Sequence, residues 1–464
     1  MSEFTIKGES TKATVHGSEE AFDDYFTEQV SEIVDHEAFE NAIHIMPDGH
    51  GGAGAVIGFT MEIGDKVVPN TVGVDIGCGM TAVNVGKPGC LEREDESVYS
   101  MIDEDIRKAV PFGRNTHSSP DYHIVDDFPW DDCQEKWWNL IQSWDSVEDV
   151  AIKEQNPYGE EYFKDLCRRV GYDMNRAIAS MGTLGGGNHF IEISKSTKNG
   201  DYWVTVHSGS RGIGYSIAEY WQHEATNRTT SRKTLDDVPE KHQKYLKDNW
   251  KPNAEAIRSD FDGEEIQNKF DRISRVIDEY GPSSDDRNTE LDWLEGEEAL
   301  GYFRDMIFAQ QYARESRLEM CKSVANVLMC DIEEVVDSIH NYVDFEDMTI
   351  RKGATRAHDD EKLIIPFNMR DGTILCRGKG NIQWNRSAPH GSGREMSRTQ
   401  AFDELDFEEF ESDMDGVFST SVTEETLDES PRAYKDIQYI QNIIEESAEV
   451  IDRWKPVMNL KAEE

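Results

Sequence analysis

Five short stretches of this chain set a histidine, cysteine or aspartate beside glycines. They are MPDGHGG (Met46–Gly52), VGVDIGCGM (Val72–Met80), GTLGGGNHF (Gly182–Phe190), HSGSRG (His207–Gly212) and HGSGR (His390–Arg394). Glycine lets the backbone approach a ligand closely and adopt positive φ, and its exposed amides can form an anion nest. A turn needs the glycine but not the neighbouring ligand-type residue, so the recurrence points to one shared site. Within DIGCG, Asp75 and Cys78 lie three residues apart, where a carboxylate and a thiolate can reach one cation. His189, His207 and His340 supply imidazoles, neutral donors near pH 7. That donor mix suits a transition metal rather than Ca²⁺ or Mg²⁺, and spacing alone favours zinc or leaves the metal open. Taken singly, each histidine reads as a hydrogen-bonded core residue and Cys78 as a small buried hydrophobe. His16, His36, His117, His123, His223 and His242 lack the glycine context and keep that plain reading.

A second chemistry is anion binding. HSGSRG and HGSGR each place an arginine close to a histidine, and an arginine fork holds phosphate at two points. From Arg351 to Arg398 there are 10 basic and 5 acidic residues, a local excess of +5 in a chain whose formal charge is −45. His390 has the most phosphate-like surroundings, and a neutral ring nitrogen facing phosphorus can form a phosphoramidate. No GxxxxGK[ST] segment occurs, so no nucleotide is held in the Walker manner. The stretch Phe402–Ser430 carries 12 acids and no Lys or Arg, and reads as a solvated surface excursion.

The elements that must position these groups read as α+β. Phe4–Val15 resembles an edge strand, Val67–Val85 buried strands broken by glycine, and Asp201–His207 and Leu363–Pro366 further strands. Helical spacing marks Glu20–Ile33, Glu298–Met329 and Tyr434–Val450. Surface insertions are expected near 114–160 and 225–295, with residues 1–464 otherwise forming a single domain. The 464 residues, 37% of them hydrophobic, are enough for a sizeable core. The charge excludes a basic nucleic-acid-coating protein. No apolar run approaches ~18 residues, the N-terminus lacks signal-peptide character, and seven cysteines show no CxxC pair, so a cytoplasmic protein with no membrane association is expected.

These segments resemble the RtcB family of RNA-splicing ligases, in its bacterial or phage branch. The likeness is carried by MPDGHGGAGAVIG, VGVDIGCGM, TLGGGNHFIEI, HSGSRGIG, His340-Asn341, RKGATRA, IIPFNM, HGSGREMSR and PRAYKDI, and runs from about Lys7 to Lys461. It implies one α+β unit with mixed sheets around a deep, metal-lined cleft. It also implies an enzyme that joins RNA 3′-phosphate or 2′,3′-cyclic phosphate ends to 5′-hydroxyl ends, with GTP and two Mn²⁺. Carried over, Cys78 bridges the metals, His207 and His340 complete one site, and Asp75 with His189 the other. His390 is the residue guanylylated. The nucleotide contacts implied are Asn188, His189, Phe190, Ile191, Glu192, His340, Asn341, Gly391, Ser392, Gly393, Tyr434 and Lys461. Pro366, Phe367, Asn368 and Met369 stand where the family has PGSM, and Thr373 stands at the position of a later serine. Arg351, Lys352, Arg356, Arg394 and Arg398 are the expected RNA contacts. A monomer is expected, with an archease-type activator as a conceivable partner. The alternatives are a metal-dependent RNA cyclic phosphodiesterase without ligation, and a non-catalytic module that binds RNA ends.

Overall fold

The computed structural model describes residues 3–93, 95–119, 127–144, 156–231, 238–247, 250–280 and 289–462. Two sheets and a long helix organise them. The larger sheet has seven antiparallel strands in the order Lys362–Pro366, Thr373–Gly378, Ala448–Lys461, Phe190–Ser196, Tyr202–Ser208, Gly79–Gly86 and Glu334–Ile339. Its two edges curl toward each other: the Ile364 amide of one edge donates to Ser338 Oγ of the other at 3.0 Å. The sheet is therefore nearly closed. The second sheet has six strands, in the order Glu3–Lys7, Lys12–His16, Ile43–His50, Ile57–Glu62, Thr349–Lys352 and Asn341–Asp344. Its one parallel pairing joins Lys12–His16 to Ile43–His50. A small ribbon pairs Ala354–Arg356 with Ser387–Pro389.

The strand Glu334–Ile339 ends in one sheet and Asn341–Asp344 begins in the other, so His340 sits where the chain crosses between them. The larger sheet's register gathers other motif residues at that same end. Gly79 lies opposite both Ser208 and Ile339, and Phe190 lies opposite His207. Cys78, His189, His207 and His340 thus converge at strand ends, although they are scattered over 262 positions of sequence.

The helix Gly296–Val327 lies beneath this end, buried on nearly every side. Arg317 is fully buried on it. Its guanidinium donates to the carbonyls of Gly77 (2.7 Å) and Ser208 (3.0 Å), to Thr81 Oγ1 (3.0 Å) and to Asp337 Oδ1 (3.1 Å). One side chain therefore ties down both the DIGCG turn and the end of the His207 strand.

Several elements differ from the sequence reading. Phe4–Val15 is a hairpin of two strands. The first helix runs Asp24–Asp35, because Asp23 accepts from the Phe26 amide at 2.8 Å and caps it there. Of Val67–Val85 only Gly79 onward is strand, the glycines before it serving turns. Tyr434–Val450 is helical only over Ile437–Ile444; a turn closed by Ser447 N to Ile444 O at 2.9 Å then leads into the strand from Ala448. The region near 114–160 is less peripheral than expected. Its helix Trp130–Ser143 sends Cys133, Trp137 and Leu140 into the main core; residues 120–126 and 145–155 lie outside the described residues. In 225–295, by contrast, the helices Ala254–Asp260 and Glu264–Tyr280 build a separate apolar cluster around Trp250, Ile257 and Ile273. The acidic stretch is folded too: Phe410, Met414 and Leu427 pack on Met369. Among the described residues no helix is long and apolar enough to cross a membrane, and all seven cysteines are free.

Candidate active site

Cys78 Sγ lies 3.3 Å from His207 Nε2 and 3.6 Å from His189 Nε2. His207 Nε2 lies 3.3 Å from His340 Nε2, and His189 Nε2 lies 3.1 Å from Asp75 Oδ2. Two sets of three donors result, Cys78–His207–His340 and Asp75–Cys78–His189, and they share Cys78. Close approach of backbone makes this possible. A Cβ on Gly209 would sit 1.9 Å from Asp75 Oδ1, and one on Gly185 (φ +93°) would sit 2.7 Å from His189 Nδ1.

The donors fit a metal. His189 Nδ1–H donates to the Leu184 carbonyl at 3.1 Å and His207 Nδ1–H to the Asn188 carbonyl at 3.2 Å. Both rings then present Nε2 lone pairs inward, the tautomer that a metal ligand needs. Those lone pairs face a sulfur, a carboxylate and another imidazole, and acceptor facing acceptor at such distances is relieved by a cation between them. Burial holds the His207 and His340 imidazoles well below their ordinary range, so they stay neutral. Burial, and then the Asp75 charge, pushes the Cys78 thiol up, so its thiolate calls for a cation.

Beside this cluster opens a cavity of about 260 Å³. Its walls include Asn188, Phe190, Glu192, His207, His390 and Lys461, the glycine loop Gly391–Gly393, the segment Pro366–Met369, Tyr434, Arg394 and Arg398. His390 stands at the metal end, its ring centroid 4.9 Å from that of His340. Asp48, a residue of MPDGHGG with no role assigned from sequence, is fully buried and accepts from His390 Nδ1 at 2.8 Å. It also accepts from the amides of His390 (3.2 Å) and Gly391 (3.3 Å). Among the described residues Nε2 of His390 has no protein partner. At the far end Glu192 is buried, accepting from Ser194 Oγ (2.6 Å) and Asn459 Nδ2 (3.0 Å), and burial raises its carboxyl to about 7.

Some expected contacts face elsewhere. Ile191 points into the core on the opposite face from Phe190 and Glu192, as strand alternation requires. Asn341 is drawn back, its Oδ1 accepting from the Gly353 amide at 3.0 Å. Asn368 lines the cavity but also closes its own loop, accepting from the amides of Arg370 and Asp371. Thr373 is buried beside the Glu192 carboxyl and does not itself line the cavity. The basic island is largely consumed internally. Arg351 is fully buried against Asp344 (3.1 Å) and Asp347 (2.6 Å). Lys352 donates to the carbonyls of Ala53 and Asn70. Arg356 is held by Glu361 (2.8 Å), Glu346 (2.7 Å) and Asp344 (3.2 Å). Of the five cations expected to meet RNA, only Arg394 and Arg398 line the cavity.

A second, wider cavity of about 890 Å³ is lined by Arg114, Arg176 and Arg211 together with Gly186 and Gly187. Among the described residues none of these arginines forms an ion pair. Arg211 is oriented by Thr183 Oγ1 (3.1 Å) and the Gly113 carbonyl (2.9 Å). HSGSRG signalled Arg211; nothing local in sequence signalled Arg114 or Arg176.

A family model described as "tRNA-splicing ligase RtcB" matches residues 29–255 and 261–462. The chain belongs to the RtcB family. It is 28% identical over 444 residues to the RNA-splicing ligase RtcB of Escherichia coli K12, with 90% of each chain covered. It is 25% identical over 471 residues to the tRNA-splicing ligase RtcB of Nanoarchaeum equitans, covering 90% of this chain and 87% of the relative. With that of Thermococcus kodakarensis it shares 25% over 465 residues, covering 89% and 86%. The mixed sheets are thus those of a member of the RtcB family of RNA ligases, and the paired donor clusters are its candidate metal-binding groups.

Proposed function

We propose that this chain seals RNA 3′-phosphate or 2′,3′-cyclic phosphate ends to 5′-hydroxyl ends, using GTP and two Mn²⁺, through a guanylylated His390. The observation that carries the reading is His390 itself. It is an imidazole with Nδ1 held by a buried carboxylate and Nε2 unpartnered among the described residues, its ring centroid 4.9 Å from that of a ligand of the candidate metal cluster. Divalent ions held by Asp75, Cys78, His189, His207 and His340 would neutralise phosphate charge and activate water to open a cyclic phosphate.

His390 Nε2 forms the N–P bond to the α-phosphorus of GTP as pyrophosphate departs. Asp48 stabilises the positive charge that develops on the ring and fixes its orientation, as a buried carboxylate does for a catalytic histidine. An oxygen of the RNA 3′-phosphate then takes the guanylate and frees His390, which converts a poor leaving group into a good one. The 5′-hydroxyl attacks the 3′-phosphorus, loses its proton, and GMP leaves. Arg394 and Arg398 line the nucleotide cavity and stabilise phosphate charge. Arg114, Arg176 and Arg211 of the neighbouring cavity, which form no ion pair among the described residues, suit an incoming RNA strand.

The test is incubation with α-labelled GTP and Mn²⁺, followed by denaturation. Covalent label is expected on the wild type and none on His390→Ala; label retained by that variant removes His390 from its role. A wild type that opens cyclic phosphate without taking label favours the phosphodiesterase, and one with no turnover at all the binding module. Cys78→Ala is expected to lose both ions, read by elemental analysis; full occupancy would exclude a bridge.

A further inference from the structure

The acidic stretch sends one carboxylate into the nucleotide cavity. Glu429 is buried, and its Oε2 accepts from Lys461 Nζ and from Tyr434 Oη (2.8 Å). Its Oε1 has no hydrogen-bond partner among the described residues, although Arg394 Nη1 and Arg398 Nη2 lie 3.8 and 3.9 Å away. Burial works to raise this carboxyl, but the Lys461 ammonium outweighs it and holds the group at about 2. The same stretch fixes the Lys461 backbone: Lys461 N donates to Ser421 Oγ at 2.9 Å, and Ser421 Oγ to Lys461 O at 3.2 Å.

Strand register says where Lys461 stands. Lys461 lies opposite Phe190, and Phe190 opposite the candidate ligand His207. In the adjoining row Asn459 lies opposite Glu192. Residues two apart share a face, so Lys461, Phe190, Asn459 and Glu192 form one patch on the cavity wall, two strands from the metal end. His390 and this patch line the same cavity, so a nucleotide with its phosphates at His390 would turn its base toward the patch. The patch offers an ammonium donor beside carboxylate and amide acceptors, and Asn459 Oδ1 has no partner among the described residues. A purine with a 6-oxo group and N–H donors next to it matches that order. One with a 6-amino group sets donor against donor.

We propose that Glu429 is the positioning residue for base selection, aiming the Lys461 ammonium and the Tyr434 hydroxyl so that the cavity takes 6-oxopurine over 6-aminopurine nucleotides. This rests on the nucleotide reading above and adds to it a residue outside the metal and histidine machinery. Without the carboxylate, Lys461 loses its buried counter-ion and its direction, while His390 and Asp48 are untouched.

The experiment compares wild type, Glu429→Gln, Glu429→Asp and the exposed-site control Glu411→Gln in label transfer from GTP and from ATP, with Mn²⁺. Glu429→Gln is expected to raise KM for GTP roughly tenfold or more, the effect of one lost charged hydrogen bond. Its kcat should stay within about threefold, and the preference for GTP over ATP should shrink by a similar factor. Glu429→Asp should fall between, and Glu411→Gln should match wild type. Combining Glu429→Gln with Lys461→Met should lose no more than Lys461→Met alone, since the two act as one unit. Unchanged KM and preference, a loss confined to kcat, equal losses on GTP and ATP, or fully additive double-variant losses would each overturn the proposal. If Glu429→Gln melts below the assay temperature, Glu429→Asp is judged by the same outcomes. A wild type that binds no GTP in calorimetry removes the nucleotide reading and this proposal together. GTP binding by the wild type with unaltered Glu429 variants removes this proposal alone.

Discussion

Asp48 gives His390 a fixed tautomer, and losing that has a measurable consequence. Asp48→Asn keeps the shape but cannot accept Nδ1–H in the same way, and label transfer from GTP should fall roughly 10²–10⁴-fold with little change in melting temperature. Glu192 carries a pH signature. Its folded carboxyl sits near 7 against an ordinary 4.5, so the folded state holds the proton longer than the unfolded chain. Its contribution to stability is full below pH 4.5 and declines as pH rises toward 7. A base that donates N–H groups needs the ionised form. GTP affinity of the wild type should therefore rise with pH and level off above about 7, while Glu192→Gln should be weaker and flat over that range. Calorimetry between pH 5.5 and 8.5 checks it.

The elements matter through what they clamp. Arg317, on the long helix, anchors the turn that carries Asp75 and Cys78 and the end of the His207 strand. Arg317→Leu strands the Gly77 and Ser208 carbonyls without this donor and leaves Asp337 to Thr81 and Arg314. It should destabilise by about 3 kcal/mol and lower metal content at temperatures where the protein is still folded. In the six-stranded sheet His16 is stacked on Trp384 with centroids 4.2 Å apart and is 3% exposed; burial, then the His44 charge, lowers it to about 3. The unfolded chain takes the proton from about pH 6.5 downward, so stability contributed by neutral His16 is complete above 6.5 and is lost as pH falls toward 3. Loss of up to about 1.4 kcal/mol per pH unit follows, and His16→Phe should flatten the acid limb of a melting-temperature profile.

Across the molecule, charge is sorted rather than averaged. A chain of −45 gathers three arginines that lack carboxylate partners among the described residues, Arg114, Arg176 and Arg211, around one cavity. RNA affinity should be modest and fall steeply with salt. Arg211→Ala should weaken binding and reduce the slope of log K against log salt by about 0.7, the share of one single-strand phosphate contact. Arg351→Ala should do neither in filter binding. It should lower the melting temperature instead, because it removes the buried guanidinium that meets Asp344 and Asp347 and leaves them to Arg356 and His358 alone.

Ligand-type residues beside glycine are local features, so Asp75, Cys78, His189, His207 and His390 could be read from residue type and neighbours; His340, in DSIHNY, has no such glycine and was legible only as part of the motifs that carry the family. The strongest strands and the long helix were legible through periodicity, because burial on one face imposes it within a few residues. What needed the folded chain was pairing over long separations. Asp48 reaches His390 across 342 positions, and Glu429 reaches Lys461 across 32. Residue type reads Arg351 as an open cation, whereas Asp344 and Asp347 surround it; composition reads the acidic stretch as surface, whereas Glu429 stands in the cavity wall. A side chain's type sets what it can do; whether its charge is met by a neighbour or left facing a ligand depends on which distant segments pack beside it.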